Sequence, residues 1–199
     1  MRPRGRAAMR EEWRLFAAIP VPDDVRQRVA AAIAHLQARG YRAKWVDPEA
    51  THLTVKFFGS VATDSLPDLT RALRKSVTGL ARFELQVHGA GAFPHPLRPR
   101  VLWLGIDGET APLAQLVEQV ERSAGSFAEK TDERPFHPHL TLARVRPEDL
   151  ATLRALPQEL ERLARLPPLP FTVDRLTLYR SELFRSGPRY TIIEEFLLR

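Results

Sequence analysis

The sequence predicts an α+β protein of two similar lobes, built mainly from residues 13–90 and 100–177, which face each other across a cleft. The first observation behind this prediction is the tripeptide His-Leu-Thr, which occurs at 52–54 and again at 139–141. The second is that the same shift of 87 residues aligns the strand-like and helix-like segments around each copy. Because repeated units related by an approximate two-fold axis bring equivalent strands face to face, both histidines are expected at the cleft between the lobes.

The elements of the first lobe follow from hydrophobic periodicity. An apolar run predicts a strand at Trp13–Ile19. A helix then begins near Pro22, carries apolar residues on one face, and ends at Gly40. The strand that holds His52 comes next. The remaining predicted elements of this lobe are a helix over 66–77 and a strand over 83–87.

The second lobe repeats this order after a connection rich in proline, which contains Pro94, Pro96 and Pro99. A final strand near Arg189–Phe196 is predicted beyond the repeat, after a turn at Gly187. The predicted elements are a strand over 100–106, a helix over 111–125, the strand that holds His139, a helix over 150–160 and a strand over 171–176.

Composition narrows the class of protein. The 199 residues are 44% hydrophobic, which is enough to bury a core and suits one bilobal domain over 1–199, with 1–10 expected to be flexible. No apolar run approaches the length of a membrane span, so we expect a cytoplasmic protein. The absence of cysteine excludes disulfides, thiol catalysis and thiolate metal sites. A net charge of +6 suits a polyanion such as RNA, although a solvated basic surface would give the same value.

The His-x-Thr pattern places an imidazole and a hydroxyl group on the same face of each strand. Side chains alternate along a strand, so His52 and Thr54 share a face, as do His139 and Thr141. Strict alternation carries the first face on to Lys56 and Phe58, whereas it turns Arg144 away from the cleft. The ring of Phe58 is accordingly a candidate to stack on a base, with a place in the core as the alternative.

Two imidazoles on opposite walls suit displacement at phosphorus. One group must accept a proton from the nucleophile while the other donates one to the leaving oxygen, and histidine titrates near neutrality. The hydroxyls of Thr54 and Thr141 can donate hydrogen bonds to the non-bridging oxygens, where charge accumulates. A metal site built on His137 and His139 is the weaker alternative, because carboxylate or Cys partners at ligand spacing are missing. The sequence also lacks a Gly-x-x-x-x-Gly-Lys phosphate loop.

These motifs resemble the two-histidine phosphoesterase superfamily, and within it the bacterial and archaeal RNA 2′,3′-cyclic phosphodiesterases that are often named 2′-5′ RNA ligases. The resemblance extends from about Trp13 to the C-terminus. It rests on Trp45-Val46-Asp47-Pro48, His52-Leu53-Thr54-Val55-Lys56-Phe57-Phe58-Gly59, Gly91-Ala92-Phe93-Pro94, Arg100-Val101-Leu102-Trp103-Leu104-Gly105, Pro138-His139-Leu140-Thr141-Leu142-Ala143-Arg144, and Leu178-Tyr179-Arg180-Ser181-Glu182-Leu183 with Gly187 and Tyr190.

The resemblance implies two antiparallel sheets with helices outside them, around a V-shaped groove. It also implies hydrolysis of RNA 2′,3′-cyclic phosphate to 2′-phosphate without metal or cofactor, with His52 as proton donor and His139 as proton acceptor. Thr54, Thr141 and Arg144 are the expected phosphate-binding residues. His137 stands where we expect Arg from the resemblance.

The candidate RNA contacts are Lys56, Phe58 and Tyr190. The expected partner is RNA with a 2′,3′-cyclic phosphate end, tRNA fragments among the candidates, bound by a monomer. If an RNA 5′-hydroxyl replaces water as the attacking group, the product is a 2′-5′ linkage. The alternatives are a phosphodiesterase for small cyclic nucleotides or ADP-ribose cyclic phosphate, and an RNA-binding protein without turnover.

Overall fold

The computed structural model describes residues 11–130, 135–185 and 187–199, so the tail at 1–10, for which flexibility was predicted, lies outside the described residues. The helices are α1 (Asp23–Ala38), α2 (Leu66–Ser76), α3 (Thr110–Ala124) and α4 (Leu156–Ala164). The strands are β1 (Glu12–Pro20), β2 (Lys44–Trp45), β3 (His52–Ala62), β4 (Phe83–Phe93), β5 (Val101–Gly108), β6 (His139–Arg144), β7 (Leu169–Val173), β8 (Arg175–Phe184) and β9 (Gly187–Leu197).

The strands form two antiparallel sheets, which confirms the predicted α+β class. The first sheet has the order β3-β1-β8-β9 and the second has the order β2-β6-β5-β4-β7. His52 begins β3 in the first sheet, and His139 begins β6 in the second. The two His-Leu-Thr segments therefore belong to different sheets, and each pairs with one central strand, β1 or β5.

Each half of the chain contributes strands to the other half's sheet. β4, from the first half, pairs with β5 in the second sheet. β8, from the second half, pairs with β1 in the first sheet. The single strand predicted over 171–176 is wrong for this reason, because the chain leaves the second sheet after Val173 and enters the first at Arg175.

The helices cover the outer faces of the two sheets. α2 packs against α3, and this pair contacts β9 and β3 of the first sheet. α1 contacts β6, α4 contacts β4, and the two helices are joined by a 2.6 Å contact between His35 Nε2 and a carboxylate oxygen of Glu159. The predicted start of α4 at residue 150 is wrong, since 147–153 is a 3₁₀ segment and the helix begins at Leu156, where Pro157 occupies its first turn. Among the helices of the described residues, none is both long and apolar enough to cross a bilayer.

Candidate active site

A β-bulge follows the His-x-Thr segment in each sheet. In the first sheet Thr54 lies opposite Ala18, but Lys56 lies opposite Ala17, so β3 holds one extra residue. In the second sheet the register of β6 against β5 shifts in the same way, between Thr141 and Ala143. An extra residue reverses the alternation of side chains beyond it. In each strand, the side chains beyond the bulge therefore point to the face opposite to the one that strict alternation would give them.

The bulge in β6 directs Arg144 to the cleft. Leu142 and Ala143 are both fully buried, whereas Arg144 is exposed on the face that carries His139 and Thr141. Strict alternation predicted that Arg144 points away from the cleft. This prediction was wrong, because the bulge turns its side chain toward the cleft. Its guanidinium group is near enough to lower the pKa of His139.

The bulge in β3 removes two predicted RNA contacts from the cleft. Lys56 is only 3% exposed, and its Nζ lies 2.8 Å from a carboxylate oxygen of Glu121 on α3. Phe58 is 0% exposed and belongs to the core. The expectation that these two side chains face the groove was wrong, because alternation does not hold across a bulge. Phe57, which we did not predict, is 39% exposed at the position that the shift of 87 residues relates to Arg144.

The ring orientation of each catalytic candidate is fixed by the backbone. His52 Nδ1 donates to the carbonyl oxygen of Ala50 at 2.8 Å, and His139 Nδ1 donates to that of His137 at 2.7 Å. A carbonyl oxygen only accepts, so Nδ1 carries hydrogen in both rings. The Nε2 atom of each ring is thereby left to accept a proton when the ring is neutral and to donate one when it is charged.

Aromatic side chains surround His52. The rings of Phe16 and Tyr190 have their centroids 4.7 and 5.2 Å from the imidazole, and the ring of Tyr179 follows at 6.1 Å. Burial lowers the pKa of His52, the hydrogen bond to Ala50 opposes this effect, and the charge of His139 lowers it further. The predicted contact Tyr190 therefore lies at the site, beside the first histidine.

His139 has a comparable aromatic setting in the second sheet. The ring of Phe93 meets it edge-on at 5.2 Å, and the indole of Trp103 lies 6.4 Å away. Trp103 covers Gly91, where a Cβ atom would clash with the indole, so glycine is required there. Burial lowers the pKa of His139, and the charges of His137 and Arg144 lower it further, against the effect of the hydrogen bond to the His137 carbonyl.

Charged groups of one sheet influence ionisable groups of the other sheet across the cleft. The charge of His139 affects the pKa of His52. Burial raises the pKa of the Tyr190 phenol, and the charges of Arg144 and Arg14 oppose that rise. The structure thus brings together His52, His139, Arg144 and Tyr190, with Thr54 and Thr141 half-buried on the same two faces. Within residues 11–130, 135–185 and 187–199, no three His, Asp or Glu side chains form a cluster that could hold a metal ion.

Solved structures share this fold over nearly the whole chain. The crystal structure of TT0787 of Thermus thermophilus superposes with a TM-score of 0.73 at 30% identity, covering 94% of this chain and 98% of that one. Escherichia coli LigT complexed with 3′-AMP superposes with a TM-score of 0.70 at 28% identity, covering 94% and 99%. The two sheets and their paired His-x-Thr strands accordingly define a two-lobe phosphoesterase.

The family follows from the sequence comparison. A family profile described as the 2′-5′ RNA ligase superfamily matches residues 21–183, and this chain belongs to that superfamily. RNA 2′,3′-cyclic phosphodiesterase of Thermotoga maritima is 32% identical over 185 residues, covering 92% of this chain and 94% of the relative. The protein of that name from Methanothermobacter thermautotrophicus is 34% identical over 187 residues, covering 93% and 98%. The predicted family is confirmed.

Proposed function

We propose that this protein hydrolyses RNA 2′,3′-cyclic phosphate ends to 2′-phosphates by two-histidine acid–base catalysis that requires no metal. The predicted enzyme class is confirmed by several relatives of about 30% identity that are named RNA 2′,3′-cyclic phosphodiesterase and cover most of the chain. The observation that carries the mechanism is the matched pair of imidazoles, each with Nδ1 held by the carbonyl two residues earlier. This leaves one Nε2 on each sheet for a proton transfer.

The surroundings of the two histidines differ, and this difference supports His139 as the base and His52 as the acid. Arg144 stands beside His139 and disfavours a second positive charge there, which suits a neutral base. His52 lies against the ring of Phe16, and an aromatic face stabilises a nearby cation, which opposes in part the burial that lowers the pKa of His52. In this assignment His139 Nε2 takes a proton from water, the water oxygen bonds to phosphorus, and the bond from phosphorus to the 3′ oxygen breaks. His52 Nε2 then protonates the departing 3′ oxygen, so the phosphate stays on the 2′ oxygen.

Neighbouring groups are suited to the charge that develops on phosphorus. Thr54 and Thr141 share strand faces with the two histidines, and their hydroxyls can donate to the non-bridging oxygens. Arg144 adds a guanidinium group, which matches the geometry of a phosphate. Phe57 and Tyr190 present rings on which the terminal base can stack.

Ligation follows from the same chemistry. A cyclic phosphate retains the free energy of a phosphodiester, so an RNA 5′-hydroxyl that replaces water gives a 2′-5′ bond without ATP. Water is far more abundant than RNA ends, and we expect hydrolysis to dominate. tRNA fragments with cyclic phosphate ends remain candidate substrates.

The test is an assay on defined RNA. Purified protein is incubated with a short RNA ending in 2′,3′-cyclic phosphate, in EDTA, and the product is identified by mass and by its resistance to enzymes that require a free 2′-hydroxyl. Formation of the 2′-phosphate at an unchanged rate in EDTA supports the proposal. A 3′-phosphate product, or activity that EDTA abolishes and a divalent ion restores, contradicts it. Turnover of small cyclic nucleotides alone would favour the small-molecule alternative.

A further inference from the structure

The face of the first sheet that carries His52 also carries an exposed cation, Arg14 on β1. The strands β1 and β8 pair without a register shift from Leu15 to Ala18, so the side chains of β1 alternate regularly there. Leu15 is fully buried in the core, whereas the ring of Phe16 lies 4.7 Å from that of His52. Arg14 therefore shares the groove face with Phe16 and His52.

The guanidinium group of Arg14 lies over the exposed ring of Phe57. Its Cζ atom is 4.5 Å from the ring centroid. Phe57 lies directly opposite Phe16 in the pairing of β3 with β1, and Phe16 is the residue whose ring contacts His52. An aromatic face stabilises a cation that lies over it, and the N–H donors at the edge of a guanidinium group match the oxygens of a phosphate. The two side chains thus form a cationic platform beside the catalytic candidate.

The charge of Arg14 is available to an anion. In the part of the chain that the structure describes, Arg14 forms no ion pair with a carboxylate. Glu12 lies two residues earlier on the same face, but it accepts a hydrogen bond from the hydroxyl of Ser60 at 2.5 Å. An exposed guanidinium group without a carboxylate partner can bind a phosphate from solution.

Tyr190 adjoins both the platform and the catalytic candidate. Its ring lies 5.0 Å from that of Phe16 and 5.2 Å from that of His52. Burial raises the pKa of its phenol, and the charges of Arg144 and Arg14 lower it, in agreement with this placement. Arg144 is assigned to the reacting phosphate, which leaves Arg14 for a second anion.

We propose that Arg14, held over Phe57, binds the phosphate on the 5′ oxygen of the terminal nucleotide, which in RNA is the link to the preceding nucleotide. This inference rests on the proposed function. The 2′ and 3′ oxygens of the terminal ribose carry the reacting phosphate, and its 5′ oxygen carries the next phosphate of the chain. A cyclic mononucleotide with a free 5′-hydroxyl lacks that second anion. Arg14 thereby makes the enzyme prefer an RNA end to such a mononucleotide.

The experiment isolates the 5′-phosphate. It compares kcat/KM for adenosine 2′,3′-cyclic phosphate, for the same compound with a 5′-phosphate, and for a dinucleotide that ends in the same cyclic phosphate. We expect Arg14→Ala to lose about tenfold on the second and third substrates, because one charge-assisted contact is removed, and to change by less than about twofold on the first. The matched control is Arg180→Ala. Arg180 lies over the ring of Trp13 at 4.4 Å, a contact of the same kind, but it pairs with Leu15 and so belongs to the opposite face of the sheet.

Product inhibition tests the contact apart from turnover. Inhibition constants are measured over a salt series for adenosine 2′-phosphate and adenosine 2′,5′-bisphosphate. Tighter inhibition by the bisphosphate that declines with salt in the wild type and the control, and is lost in Arg14→Ala, supports the inference. An equal effect of Arg14→Ala on compounds with and without the 5′-phosphate, or no effect on either, overturns it while leaving the proposed function intact. If the wild type hydrolyses none of the cyclic substrates, the proposed function fails, and the inference fails with it.

Discussion

At the scale of single residues, the two imidazoles are held identically but placed in different electrostatic surroundings. Both donate Nδ1–H to the carbonyl of the residue two positions earlier. Among the described residues, the charge of Arg144 acts on His139, whereas the charge that acts on His52 is that of His139. The sequence alone predicted both histidines, whereas the asymmetry between them depends on the position of Arg144.

The pKa of each histidine is lowered, which predicts a bell-shaped pH profile for kcat/KM with its maximum below about pH 6.5. Activity falls as pH decreases through the pKa of His139, which must be neutral to accept a proton. It also falls as pH increases through the pKa of His52, which must be charged to donate one. Bound phosphate favours the charged rings, so the kcat profile should lie at higher pH. Rates measured from pH 4.5 to 9 that show no acidic limb would contradict this account.

Arg144→Ala should raise the pKa of His139, because the guanidinium charge that disfavours protonation is removed. The same substitution should reduce kcat/KM by about a hundredfold, since one charged contact to the phosphate is lost at the transition state. An NMR pH titration of the His139 ring measures its pKa, and steady-state kinetics measure kcat/KM. The control is Arg122→Ala on α3, an exposed arginine paired with Glu118. An unchanged His139 pKa would place Arg144 too far from the ring to act on it.

At the scale of elements, the two bulges account for what alternation could not predict. Most strands and helices were predictable from periodicity, including the paired faces of His52 and Thr54. A bulge leaves no clear mark in hydrophobicity, since Lys56 is polar and still buried. The sequence contained one signal that we did not use: the shift of 87 residues relates Phe57 to Arg144, so a groove-facing Arg144 would have implied a groove-facing Phe57.

The bulge in β3 exposes the side chain of Phe57 and buries that of Phe58, so substitutions of these two residues should have different effects. Phe57→Ala should lower kcat/KM on RNA by about tenfold with little change in stability, because an exposed stacking ring is lost. Phe58→Ala should instead lower the free energy of unfolding by about 3–5 kcal/mol, because a fully buried ring is removed from the core. Chemical denaturation and kinetics on both variants make the comparison. The reverse pattern would mean that the strand continues without a bulge.

At the scale of the whole molecule, the repeat predicted two lobes but not how they share strands. The repeat did not reveal that β4 and β8 join the other half's sheet, because a constant shift aligns elements without specifying which strands pair. The predicted strand across Asp174 was divided by this exchange. Each sheet therefore contains strands from both halves of the chain.

We propose that residues 1–199 form one cooperative unit rather than two lobes able to fold alone. A fragment ending at Pro96 would retain β1 and β3 but lose β8 and β9 from the first sheet, and it would leave β4 without β5 and β7. We expect that fragment to show no cooperative thermal transition by circular dichroism, whereas the full chain unfolds in one step. A separate cooperative transition in the fragment would show that the first half is an independent domain.

The central claim is that His52 protonates the leaving 3′ oxygen while His139 activates water, and a substrate with sulfur in place of that 3′ oxygen tests it most directly. Thiolate leaves without a proton, so the donor becomes dispensable while the base does not. His52→Ala and His139→Ala should each lose about 10²–10⁴-fold on the normal substrate while remaining folded. On the sulfur substrate His52→Ala should approach the wild-type rate, and His139→Ala should remain slow. Rescue of His139→Ala instead, or near-wild-type activity of either variant on the normal substrate, would contradict the account.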